Sequence, residues 1–136
     1  MTAREITPVT KQLSQNQVNE YADAADDHNP IHIDEAFAAM SPFGGTIAHG
    51  MLVLATISEM MAASLGEVWL RSGKLKVRFK APAKTKDTLT ASAKALLASA
   101  KALEQGDGAI QRYAVECRNQ DGDLLISGTA QVPAGG

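Results

Sequence analysis

The chain has 136 residues, of which 45% are hydrophobic and 21% charged. This is globular composition: it argues against a disordered segment and favours one domain with one core over residues 1–136. The formal net charge of −2 gives no bulk attraction to nucleic acid or to an anionic membrane surface, and the single cysteine, Cys117, excludes an internal disulfide and fits a reduced, cytoplasmic setting.

The opening MTAREITPVT lacks the apolar stretch of a signal peptide. Ile6 to Leu13 reads as a strand, restricted by Pro8 to a sheet edge or a strand start. Ser14 is a favourable N-cap for QNQVNEYADAAD, where Val18, Tyr21, Ala22 and Ala25 recur at helical spacing. Asn29-Pro30 stops that helix, because proline offers no N–H and disfavours helical backbone in the residue before it. Asp34 then caps a short helix, EAFAAM, and Ser41 to Gly45 is a loop by composition.

The segment Gly50–Leu65 is apolar around most of its circumference, which predicts a helix enclosed on several sides and stopped at Gly66. It is too short for a membrane span and is interrupted by Glu59. Everything beyond it reads as strand. GKLKVRFK (Gly73–Lys80) alternates Leu75, Val77 and Phe79 with Lys74, Lys76, Arg78 and Lys80. Thr88–Ser99 is ambiguous, β-favouring at its start and equally compatible with helix in its Ala-rich second half. A turn at Gln105–Gly108, a strand over Ala109–Arg118, a hairpin turn at Asn119–Gly122, a last strand over Asp123–Val132 and a frayed PAGG complete the pattern. Helices followed by consecutive antiparallel strands make an α+β architecture.

The densest chemistry lies in ADDHNPIHID, Ala25 to Asp34. His28 and His32 stand four apart, a metal-ligand spacing on a helix, but Pro30 interrupts that helix and no third and fourth ligand follow at a familiar spacing; no metal or other cofactor is expected. Asp26, Asp27 and Asn29 are also what a plain polar turn would use. What tips the balance is a resemblance. Asp27-x-Asn29-Pro30-x-His32, followed by IAHGM at Ile47–Met51 and with AFAA at Ala36–Ala39, resembles the two signatures of the MaoC-like dehydratases and (R)-specific enoyl-CoA hydratases. Two departures stand out: Ala25-Asp26 replaces the family's Ser-Gly, and His28 occupies a variable, often apolar position.

The resemblance implies a hot-dog fold, a curved antiparallel sheet wrapped around one helix and dimerised through sheet edges, which would make Thr88–Ser99 a strand. It implies an acyl-CoA substrate, with Asp27 and His32 activating water and the Gly50 backbone N–H holding the thioester oxygen. Asn29 and His49 would support the site, His49 by orienting the turn. Ser58 either bonds the catalytic carboxylate, as the family's hydroxyl does, or is satisfied within its own helix. Met40, Phe43 and Met51 are candidates for an acyl pocket, whereas Met60 and Met61 read as core. The lysines and arginine of Lys74–Lys80 are either a solvated face or contacts for CoA phosphates. Two other readings remain: a thioesterase on the same fold, and a non-catalytic acyl-thioester-binding subunit of a paired assembly.

Overall fold

A computed structural model describes residues 4–97 and 110–134. The turn expected at Gln105–Gly108, the start of the strand expected at Ala109, the end of the Thr88–Ser99 segment and the last two glycines lie outside the described residues.

Strand β1 (Val9–Gln12) starts directly after Pro8 and is half the length expected. Ser14 caps α1 (Gln15–Ala25) as read from the sequence, its hydroxyl accepting from Gln17 N at 3.1 Å. Asp34 likewise accepts from Phe37 N to start α3 (Glu35–Ala39). Between them lies α2 (Pro30–Ile33), which the sequence reading did not foresee. Asn29-Pro30 is a stop signal for α1 and equally a start signal, with Asn29 as N-cap accepting from Ile31 N at 3.1 Å and Pro30 at the first helical position.

Helix α4 (Gly50–Leu65) buries Val53, Thr56, Ile57, Met60, Met61 and Leu65. It packs on β1, on β3 (Thr88–Leu96) and on β4 (Ile110–Arg118). The apolar members of this set each contribute about 1.5–3 kcal/mol by leaving water. Enclosure is one-sided, however. Met51, Ala55, Glu59 and Ala63, four apart along one ridge, are exposed, and Glu59 pairs with Lys11 of β1 at 2.7 Å. Gly66 ends the helix with φ 64°, but the chain then forms α5 (Glu67–Ser72) where strand was expected. Its signals are faint in sequence: one buried residue, Trp69, and a Glu67–Arg71 ion pair one turn apart.

The strands form one antiparallel sheet in the order β1-β3-β4-β5-β2, with β2 spanning Lys74–Phe79 and β5 spanning Leu124–Pro133. The ambiguous segment is strand from Thr88 to Leu96, because Leu89 and Ala91 are buried in the core and small alternate residues suit a closely packed sheet. The β4–β5 hairpin turns at Asn119–Gly122, with Gly122 at φ 81° and Asn119 Oδ1 accepting from Asp121 N and Asp123 N. Together these elements are an α+β hot-dog fold. The α1–α2 turn meets the N-terminal end of α4, where His49 bonds the Asp27 carbonyl, and the catalytic candidates lie there.

Gly128 of β5 sets how closely β5 and β2 approach: a Cβ there would overlap Lys76 O and lie 2.7 Å from Val77 Cα. Gly128→Ala is therefore expected to destabilise the protein by about 1–3 kcal/mol, since backbone rather than a flexible side chain must move; urea unfolding midpoints at unchanged m-value check this.

Candidate active site

Local capping places the first catalytic candidate. Helix α1 ends with Asp26 in the left-handed region, φ 52° and ψ 45°, a conformation that Asp tolerates better than most residues. Asp27 N then donates to Ala22 O at 3.0 Å, closing the helix in a Schellman-like turn. Asp26 thus belongs to a polar turn that ends the helix, as its residue type allows. Asp27 follows, its carboxylate accepting weakly from Asn29 N at 3.4 Å.

His32 is held from both ends. Its carbonyl accepts from Gln15 Nε2 at 2.8 Å, and its ring Nδ1 lies 2.8 Å from Ile47 O. A carbonyl can only accept, so Nδ1 carries the proton and Nε2 is left with its lone pair. Gln15 is itself anchored: its Oε1 accepts from Thr46 Oγ1 at 2.8 Å, and Thr46 accepts from Thr85 Oγ1 at 2.7 Å, both threonines being buried.

The fold brings His49 to the same place. It is 3% exposed, and its ring stacks on that of His32 with centroids 3.8 Å apart and planes inclined by 26°. His49 Nε2 donates to the main-chain carbonyl of Asp27 at 2.9 Å, and Tyr21 closes over it at 4.8 Å. One ligand-type atom from each of Asp27, His32 and His49 lies within 4.8 Å of the others. A ligand count along the sequence stopped at His28 and His32; the fold supplies His49 as a third group and leaves His28 out. The set nonetheless fits a metal poorly. Lone pairs lie in the ring planes, and near-parallel stacked rings direct them side by side rather than toward one tetrahedral centre.

A cavity of about 370 Å³ adjoins this cluster. His32 and Gly50 line it together with Val53, Phe79, Pro82 and Ile126. Gly50 opens α4, so its N–H has no acceptor within the helix and sits at the positive end of the helix dipole. Phe79 lies over it, 3.1 Å from where a Cβ would be, so any larger residue would press on the ring. Asp27 is exposed and stands beside the cavity rather than in its wall. Met40, Phe43 and Met51 are 92%, 39% and 58% exposed, and none of them lines it. The wall comes from α2, the Ile47–Ala48 segment, the start of α4, the end of β2 with the loop after it, and β5; the sequence motifs mark only the first three of these. Of the four cations over Lys74–Lys80, Lys80 alone borders this cavity. Ser58 serves neither expected partner: its Oγ accepts from Trp69 Nε1 at 3.0 Å and ties α4 to α5.

Residues 2–112 match the family model for the MaoC like domain. The chain belongs to the MaoC-like dehydratase family. Over 127 residues it is 30% identical to an (R)-specific enoyl-CoA hydratase of Aeromonas caviae, covering 91% of this chain and 88% of that protein. A 3-hydroxyacyl-thioester dehydratase of Mycobacterium tuberculosis is 42% identical over 74 residues, 52% of this chain and 49% of the relative. Among solved structures, an R-hydratase of Pseudomonas aeruginosa superposes with a TM-score of 0.80 at 28% identity, covering 98% of this chain and 82% of that one. The chain spans about half the length of several curated relatives that it matches. Among the described residues no helix is long and apolar enough to cross a membrane.

In this MaoC-like chain His28, at the position that departs from the family pattern, is turned to acidic neighbours outside the cluster. Its Nε2 lies 2.8 Å from Asp23 Oδ1 and its Nδ1 3.7 Å from Asp26 Oδ1. The hydrogen bond to Asp23, opposed by desolvation and aided by the charges of Asp23, Asp26 and Asp27, raises its pKa above the usual 6.5. A raised folded-state pKa stabilises the fold fully below the unfolded value of 6.5 and loses that contribution as pH rises through the folded value. His28→Gln should therefore lower the melting temperature slightly at about pH 5.5 and leave it unchanged at about pH 8.5, read from melts of both proteins in the two buffers.

Proposed function

We propose that this protein hydrates trans-2-enoyl-CoA to (R)-3-hydroxyacyl-CoA, or catalyses the reverse dehydration. The observation that carries the reading is that an imidazole with a free Nε2 and an unpaired helix-start N–H share the wall of one apolar cavity. Hydration needs a base for water, an acid for C2 and a donor for the thioester oxygen. The Asp27 carboxylate and His32 Nε2 hold one water between them. Its oxygen bonds to C3, the C2=C3 electrons shift toward the thioester carbonyl, and the water's proton passes to the pair. The enolate then collapses as a proton from the same pair is returned to C2, so that H and OH are added and the enzyme ends unchanged. Gly50 N–H, aided by the helix dipole, stabilises the enolate oxygen, a type of contact worth about 3 kcal/mol. The names of the Aeromonas and Mycobacterium relatives support the same reaction class and an acyl-thioester substrate.

Neither a metal nor a redox cofactor takes part, and the protein acts as a homodimer. β2 is an edge strand of six residues, long enough to pair with a second copy across the sheet edge.

The test is purified protein with crotonyl-CoA, following enoyl-thioester absorbance and free thiol separately. Loss of absorbance without thiol, with chiral analysis giving the R product, is the expected result. Thiol release would instead indicate a thioesterase, and no change in either signal would favour a binding subunit. Asp27→Asn and His32→Ala should each lower turnover by about 10²- to 10⁴-fold with melting transitions close to wild type. Full activity in either variant would refute the assignment, as would loss of activity on chelation that zinc restores.

A further inference from the structure

His49 occupies the N-cap of α4, where Ser, Thr, Asp or Asn would normally bond a free N–H of the first turn. Its side chain makes no such bond. The helix start is served instead by the His49 main-chain carbonyl, which accepts from Leu52 N at 3.0 Å and Val53 N at 3.2 Å. The ring is turned away into the protein, 3% exposed, with Nδ1 buried and without a hydrogen-bond partner among the described residues.

The ring makes two contacts. Its flat face lies on the His32 imidazole at 3.8 Å, and its Nε2–H holds the Asp27 carbonyl at 2.9 Å. Phenylalanine could make only the first contact, and glutamine only the second. A histidine makes both, at the residue directly before Gly50. We infer that His49 is a positioning residue that sets the Asp27 main chain and the His32 ring relative to each other and to the Gly50 N–H. It touches no reacting atom; its effect passes through three groups that do. The inference rests on the hydratase reading for the roles of those groups, and on geometry alone for the clamp itself.

The clamp has a kinetic consequence. A carboxylate and an imidazole that must hold one water tolerate little relative displacement, and about 1 Å of misplacement can cost about 100-fold in rate. Substrate binding, which depends on the cavity wall and the acyl carrier, is affected much less. His49 therefore controls kcat rather than KM.

Two variants split the contacts. His49→Phe keeps a ring over His32 and loses the bond to Asp27; His49→Gln keeps a donor and loses the ring. On an enoyl-thioester, each is expected to reduce kcat by about 10- to 100-fold, with KM within about twofold and an unchanged melt. A wild-type kcat in either variant overturns the clamp, as does a loss carried wholly by KM. A second readout is independent of activity. The chain has three histidines, so long-range proton–nitrogen spectra assign each ring. His32 should carry its proton on Nδ1 and His49 on Nε2, and the His32 ring protons should be shifted upfield by stacking. That upfield shift should vanish in His49→Gln and persist in His49→Phe. His32 signals unchanged by His49→Gln would refute the stacking. If the wild type hydrates no enoyl-thioester, the functional reading fails while these spectra still decide whether His49 holds His32; if one variant does not fold, the other variant and the wild-type spectra decide.

Discussion

Segment 46–48 is the piece on which the rest of the site depends, because it is hydrogen-bonded on two sides at once. On one side Ile47 N donates to Ile31 O and Ile47 O accepts the His32 ring N–H, fastening α2. On the other, Ala48 N donates to Ala83 O and Thr85 N to Thr46 O, fastening the loop after β2. His49 and Gly50 follow directly and begin α4. Three elements distant in sequence are thereby brought into register by main-chain hydrogen bonds, whose geometry leaves little freedom. Side chains hung on such a segment are preorganised for chemistry rather than gathered on each turnover.

Thr46 in this segment and Thr85 and Asp87 beside it are buried and hydrogen-bonded. Thr85, Thr46 and Gln15 form a chain that ends on the His32 carbonyl, and Asp87 accepts from Lys84 N at 2.9 Å and from Gln120 Nε2 at 3.0 Å. A fully paired network of this kind rigidifies its surroundings, since breaking any member strands a partner in a low-dielectric interior. Among the described residues His49 Nδ1 has no protein partner. The apolar core beneath, built by α4 against β1, β3 and β4, supplies the stability of this region.

Much of this was legible in the chain. The alternation of Leu75, Val77 and Phe79 with cations marks a half-buried strand because side chains on a strand alternate between faces. Ser14 and Asp34 announce helices because their oxygens meet orphan N–H groups locally. Asn29-Pro30 carried two messages, a stop for α1 and a start for α2, and only the first was taken. Helix α5 was missed because six residues with one buried tryptophan form no periodic pattern long enough to read. Met40, Phe43 and Met51 suggested a pocket by chemical type, but Met51 belongs to the exposed ridge of α4, and Met40 and Phe43 lie in the exposed turn after α3.

By itself the sequence determined the local events: where helices start, which face of a strand is apolar, and that Asp27, His32 and Gly50 stand in a pattern shared with a hydratase family. These depend on neighbours within about one helical turn, whose interactions are written in adjacent letters. Only the tertiary structure decided which groups meet. The stacking of His49 on His32, the selection of His32 Nδ1 as the protonated nitrogen by Ile47 O, and a cavity wall drawn from α4, β2 and β5 all join residues far apart in the chain. Such contacts arise when the sheet closes over α4, and no short-range pattern encodes their distances.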